Sequence, residues 1–88
     1  MKYPATFTKD KDGGFDITFR DIPEAMPQGD TEAEAMAMAE EVLLDSIDWY
    51  LEQKQAIPIP SEAQANDRLI ELPVSIMKKV MLLNEMLV

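Results

Sequence analysis

Residues 1–35 read MKYPATFTKDKDGGFDITFRDIPEAMPQGDTEAEA, and this stretch decides the fold. From Lys2 to Lys9 the side chains alternate, with Tyr3, Ala5 and Phe7 on one side and Pro4, Thr6 and Thr8 on the other. Phe15, Ile17 and Phe19 repeat the pattern opposite Asp16 and Thr18. A period of two is that of a half-buried strand, and Asp10-Lys11-Asp12-Gly13-Gly14 supplies residues that tolerate a positive φ, so the two strands form a hairpin. Pro4 has no N–H and belongs where no ladder bond is required. Glu24 to Gly29, interrupted by Pro27, is expected to be a brief edge strand.

The next residues begin a helix. Thr31 followed by Glu34 is a capping-box signature, and Asp30, Glu32 and Glu34 place negative charge on the positive end of the helix dipole. Ala35, Ala39, Val42, Leu43, Ser46, Ile47 and Tyr50 then recur at steps of three and four, which predicts a helix over about Thr31 to Gln53 with that stripe on the sheet. It would be ~33 Å long, against ~17 to 20 Å for strands of five or six residues, so it must overhang the sheet. Met38, Leu44 and Trp49 fall off the stripe, and Met and Trp are enriched at protein interfaces.

Ala56-Ile57-Pro58-Ile59-Pro60-Ser61 favours an extended connector. Ser61 to Asp67 reads as a polar loop, and Arg68 to Leu72 as a strand with Ile70 and Leu72 facing one way. Pro73 suits the first turn of a second helix. From Val74 the apolar positions Ile76, Met77, Val80, Met81, Leu83, Met86 and Leu87 cover too much of the circumference for a helix in water. With the first helix occupying the sheet, self-association through Ile76, Val80, Leu83 and Leu87 is the expected remedy, as a dimer or tetramer.

The predicted fold class is therefore α+β: a small three- to four-stranded sheet on one long helix, in the order β-β-β-α-β, with a C-terminal amphipathic helix. The right-handed rule for parallel crossovers places the last strand beside the first. Residues 1–73 read as one domain and residues 74–88 as a terminal helix, serving self-association or opening a DNA-binding region.

Composition narrows the function. The chain has 88 residues, no Cys, no His and a net charge of −9. Disulfides and thiolate metal sites are excluded, and the commonest general base is missing. No cofactor is called for. An acidic chain is repelled by phosphate, so direct nucleic-acid binding is not expected. The chain contains no apolar run near the ~20 residues that cross a bilayer, so no membrane association is expected and the location is read as cytoplasmic. From Asp21 to Gln53 there are ten acids and no Lys or Arg. Such a face is either solvating or a docking surface for a basic partner. Asp10, Asp12 and Asp16 crowd around Gly13, but their spacing is not that of an EF-hand loop, and a hairpin turn is the expected role.

The pieces K-Y-P, D-G-G-F-D-I-T-F-R-D-I-P-E-A, Q-G-D-T-E-A-E-A-M, I-P-I-P-S and L-P-V-S-I-M-K-K-V-M-L-L-N, in this order along the whole chain, resemble the HicB family of bacterial antitoxins. The resemblance implies a partial ribonuclease-H-like fold. It also implies a partner, HicA, a small basic toxin with a double-stranded-RNA-binding-like fold that cleaves messenger RNA with a histidine. Longer members continue into a helix-turn-helix that binds their operator, so operator contact is expected only of a region beyond Val88.

Carboxylate-held magnesium chemistry needs acids converging from neighbouring strand ends. The inward strand positions here are instead Tyr3, Ala5, Phe7, Phe15, Ile17 and Phe19, so no such site is expected, and what the resemblance implies is a non-enzymatic inhibitor. Glu41, Asp45, Asp48, Trp49 and Glu52 on the outer, overhanging part of the long helix, with Ile57 and Ile59 in the connector, are the expected toxin contacts: charge for steering and one aromatic anchor. The alternative is a transcriptional autoregulator or its dimerisation fragment, in which the terminal helix matters most.

Overall fold

The computed structural model describes residues 1–86. In chain order the elements are β1 (Lys2–Lys9), β2 (Phe15–Phe19), β3 (Gln28–Gly29), α1 (Glu32–Glu52), β4 (Arg68–Glu71) and α2 (Val74–Met86). The strands form one sheet in the order β3-β2-β1-β4, with every neighbouring pair antiparallel. The α+β class, the four strands and the place of β4 beside β1 agree with the sequence reading.

The direction of β4 corrects it. β4 runs antiparallel to β1, pairing Ala5 with Arg68 and Lys2 with Glu71. It is therefore opposed to β3, and the handedness rule for parallel crossovers does not apply. The cause is the long segment between α1 and β4, which carries the chain back along the molecule before the strand begins. Side-chain bonds tie this connector down. The carboxylate of Asp67 accepts from Arg20 Nη2 at 2.5 Å, from Thr6 Oγ1 at 3.0 Å and from the Gln64 N–H at 2.9 Å. Asp21 Oδ2 accepts from the Ser61 N–H at 3.0 Å. These bonds, the Arg20 bond foremost, hold the Asp67 carboxyl below its ordinary value.

The hairpin turn closes on Asp10, whose Oδ1 accepts the N–H groups of Asp12 at 2.8 Å and Gly14 at 3.1 Å, while Gly13 takes a φ of +90°. Pro4 lies past the last β1–β2 pair, Ala5 opposite Phe19, where no N–H is asked of it. The inward face of the sheet, Tyr3, Ala5, Ile17, Phe19 and Ile70, packs under Ala35, Ala39, Leu43 and Ile47 of α1 in one buried cluster. The small alanines lead the helix in close. Gly29 permits this approach, since a Cβ there would collide with the backbone N of Ala35 and lie 2.5 Å from its Cα.

Thr31 caps α1 by accepting the Glu34 N–H at 3.1 Å, and Glu34 Oε2 accepts the Asp30 N–H at 3.2 Å, one residue earlier than in an ideal capping box. At the other end Lys54 adopts a φ of +53°, and the Lys54 and Gln55 N–H groups bond back to the Leu51 and Tyr50 carbonyls. This is a Schellman closure with lysine where glycine is commonest.

Tyr3 has 0% exposure, and its hydroxyl donates to the Pro58 carbonyl at 2.7 Å, joining β1 to the connector. Burial above all, with the negative charge of Asp21 adding to it, pushes its pKa from 10.0 up to about 12. The folded state thus holds the phenol neutral. Its contribution to stability is complete below pH 10.0 and is lost as pH rises through about 12. The Tyr3→Phe variant is expected to be less stable by about 1 kcal/mol near neutral pH. Between those two pH values it should lose less stability than the parent chain, in urea titrations repeated across the range. Parallel curves for the two proteins would remove Tyr3 as the cause.

Candidate partner-docking surface

Glu41, Asp45, Asp48 and Glu52 are spaced i, i+4, i+7 and i+11 and occupy about 60° of arc on α1. All four are exposed, on the side away from the buried Leu43 and Ile47. The ion pairs among the described residues, Arg20–Asp67 and Arg68–Glu32, leave this ridge uncompensated. The last turn of α1 carries no basic residue. Like charges four residues apart, and acids at a helix C-terminus, each cost the isolated chain a few tenths of a kcal/mol. Folding therefore gains nothing from these like charges, whereas binding of a cationic surface would offset their repulsion.

Beside the ridge lies an open groove of about 580 Å³. Val42, Ser46, Trp49 and Tyr50 of α1 form one wall, and Glu24 from the β2–β3 loop and Gln55 from the end of the helix complete it with Asp45. Trp49 is 49% exposed and meets Tyr50 edge-on, with ring centroids 5.3 Å apart. The Tyr50 hydroxyl donates to Glu24 Oε1 at 2.6 Å, and this bond, followed by burial, raises the Tyr50 pKa above its ordinary value. The loop holding Glu24 is itself fixed, because Ile22 and Ala25 are buried and the Ala25 N–H bonds to the Ile22 carbonyl at 3.0 Å.

Of the residues named from the sequence, Glu41, Asp45, Asp48, Trp49 and Glu52 come together on α1. Ile59 is 77% exposed in the connector. Ile57 is placed apart from them: it is 3% exposed in the core, with its N–H donated to Asn84 Oδ1 of α2 at 3.1 Å. Among the self-association candidates Val80 is wholly buried, because α2 packs against α1, and Ile76 and Leu83 are partly buried against the same core. Leu87 lies outside the described residues. The apolar surface that α2 exposes is instead Val74, Met81, Leu82 and Met86.

Glu24, Val42 and Tyr50 were not named as site residues. Glu24 is far from the helix in sequence, and Tyr50 and Val42 fit the stripe that packs on the sheet. The available signal was Trp49, which continues the i, i+4, i+7 line of Val42 and Ser46 along the margin of that stripe.

Residues 2–81 match the family of HicB-like antitoxins of bacterial toxin–antitoxin systems. The antitoxin HicB of Escherichia coli K12 is 47% identical over 87 residues, covering 99% of this chain and 63% of the relative. Antitoxin HicB 2 of Photorhabdus laumondii is 45% identical over 99% of this chain and 60% of its own length. The chain thus spans about three-fifths of the length of these curated relatives. Among solved structures, the Burkholderia pseudomallei antitoxin HicB is similar with a TM-score of 0.73 at 20% identity, over 86% of this chain and 66% of that one. Its N-terminal domain gives a TM-score of 0.68 at 17% identity, over 83% and 99%. At these identities the likeness speaks for the fold alone.

Proposed function

We propose, because the chain belongs to the HicB-like antitoxin family of bacterial toxin–antitoxin systems, that it is a non-enzymatic inhibitor that docks on a small basic HicA-type toxin and keeps messenger RNA from the toxin's active site. The observation that carries this reading is the uncompensated acidic ridge of α1 running alongside a half-exposed tryptophan. Opposite charge steers the encounter and sets its orientation, and a desolvated aromatic supplies the part of the affinity that salt does not screen.

Size constrains the footprint. The outer face of a 21-residue helix is ~31 Å long and ~10 Å wide, on the order of 300 Å², whereas a stable complex covers about 800 Å² per partner. The ridge alone is too small. The groove on its flank and the exposed Ile59 of the connector extend it.

The test is co-expression with the product of the adjacent reading frame, expected to be small, strongly basic and dependent on one histidine. The two proteins should co-purify, and this chain should rescue growth. Rescue that failed while both proteins were made and folded would sink the reading. Within a complex, Trp49→Ala is expected to weaken binding by about 30-fold or more, in line with an aromatic hot spot of ~2 kcal/mol. Its cost to folding should stay below about 1 kcal/mol because the ring is half in water. Calorimetric titration beside thermal melting separates the two, and equal losses would return Trp49 to a structural role.

A further inference from the structure

Resting on the inhibitor reading above, the geometry points to the groove between Trp49, Tyr50, Glu24 and Asp45 as the receptor for a single arginine side chain of the partner. The lining selects the occupant. Two carboxylates, Glu24 and Asp45, stand at a hollow whose remaining lining is Val42, two aromatic rings and the uncharged polar side chains of Ser46 and Gln55. An anion is repelled. A purely aliphatic group would strip water from the carboxylates and return nothing to them. A cation on an apolar stem satisfies both surfaces, with its methylenes along Val42, its charge over an indole face and its N–H groups on the acids.

Arginine fits better than lysine. Its planar guanidinium stacks on aromatic rings, is less strongly hydrated and donates in a fork that a carboxylate accepts pairwise. Glu24 is prepared for this: one of its oxygens takes the Tyr50 hydroxyl, which fixes the carboxylate and leaves the other oxygen to face a donor. The same chain contains the proposed arrangement once already, between its own residues. The Arg68 guanidinium lies 4.5 Å from the centre of the Phe7 ring and pairs with Glu32 Oε1 at 2.5 Å. At the groove the aromatic and acidic parts recur without a basic residue among the lining side chains. The groove, at about 580 Å³, lies in the range of ligand pockets, so one side chain fills part of it and the partner's neighbouring residues close the mouth.

The chain has a single tryptophan, so its emission reports on this groove alone. The experiment titrates the whole protein with N-acetyl-argininamide, N-acetyl-lysinamide and N-acetyl-norleucinamide while following Trp49 fluorescence. The arginine probe is expected to give a saturable change about tenfold tighter than the norleucine probe, with lysine between them. Glu24→Gln and Asp45→Asn should each weaken the arginine probe and leave the norleucine probe unchanged. Equal response to arginine and norleucine, or no saturable response to arginine, overturns the assignment. Capture of the co-expressed toxin, measured separately, divides the two inferences. Capture without an arginine response sinks the groove assignment alone, and an arginine response without capture sinks the inhibitor reading alone.

Discussion

Replacing Asp45, Asp48 and Glu52 together by lysine is expected, on the inhibitor reading proposed above, to abolish protection against the toxin while leaving the protein folded and slightly more stable. Each swap changes the local charge by two and turns an attraction into a repulsion, and like charges juxtaposed across an interface cost several kcal/mol. A loss of ~4 kcal/mol is a factor of about 1,000 in affinity. The effect on the isolated chain has the opposite sign. Lysines in the last turns of α1 align with the negative end of the helix dipole, for a gain of about 0.3 to 1 kcal/mol at each site near the end, and they break up the run of neighbouring acids. The affinity, read by titration at several salt concentrations, should collapse, and the salt dependence of the parent complex should vanish with it. The melting temperature of the triple variant should hold or rise. Protection that survived the three reversals would remove electrostatic docking as the mechanism.

Gly29→Ala is expected to be the most damaging small substitution in the sheet, lowering the melting temperature by on the order of 10 to 20 °C, or ~3 kcal/mol at the sensitivity of a domain this size. The new methyl would strike the backbone N of Ala35 and approach its Cα to 2.5 Å. Neither atom is the end of a flexible side chain that can swing aside. Relief requires the first turn of α1 to lift from β3, which opens the contact with the alanines behind it. Gly13→Ala is the control. Nothing lies within 4 Å of a Cβ there, and only the φ of +90° resists it, so a cost nearer 1 kcal/mol is expected. Thermal melts of the two variants side by side check the ranking. A Gly29→Ala protein as stable as the Gly13→Ala one would mean that the helix does not approach the sheet so closely.

The fold was legible in the sequence wherever one periodicity ran unbroken. The alternation in Lys2–Lys9 and Phe15–Phe19, the capped helix with its Ala35–Ala39–Leu43–Ile47 stripe and the Pro73 boundary each followed from local chemistry. The direction of β4 did not. The connector from Gln53 to Asp67 spans up to ~50 Å when extended, more than the ~31 Å of the helix, so either end of the sheet lay within its reach. The choice is made by Tyr3, Arg20 and Asp21 gripping Pro58, Asp67 and Ser61, contacts between residues that share no local pattern. The burial of Ile57 and Val80 was hidden for the same reason, since it depends on α2 folding back against α1. The ridge was legible because helical spacing alone creates it. The groove was not, because Glu24, which completes it opposite the helix residues, comes from a loop that the helix pattern does not include.

The sheet is completed by the pairing of its first and last strands. Tyr3 pairs with Ile70, and the Leu72 N–H bonds to the Met1 carbonyl at 2.9 Å. A contact between partners so distant along the chain repays its loop-closure entropy only after nearly everything between them is ordered. During synthesis the hairpin and α1 emerge first, yet the layer beneath α1 stays incomplete until β4 clears the ribosome. On the proposed inhibitor reading, competence to bind is then a property of the finished domain, and a nascent chain halted before Arg68 would present the acids of α1 without the scaffold that orients them.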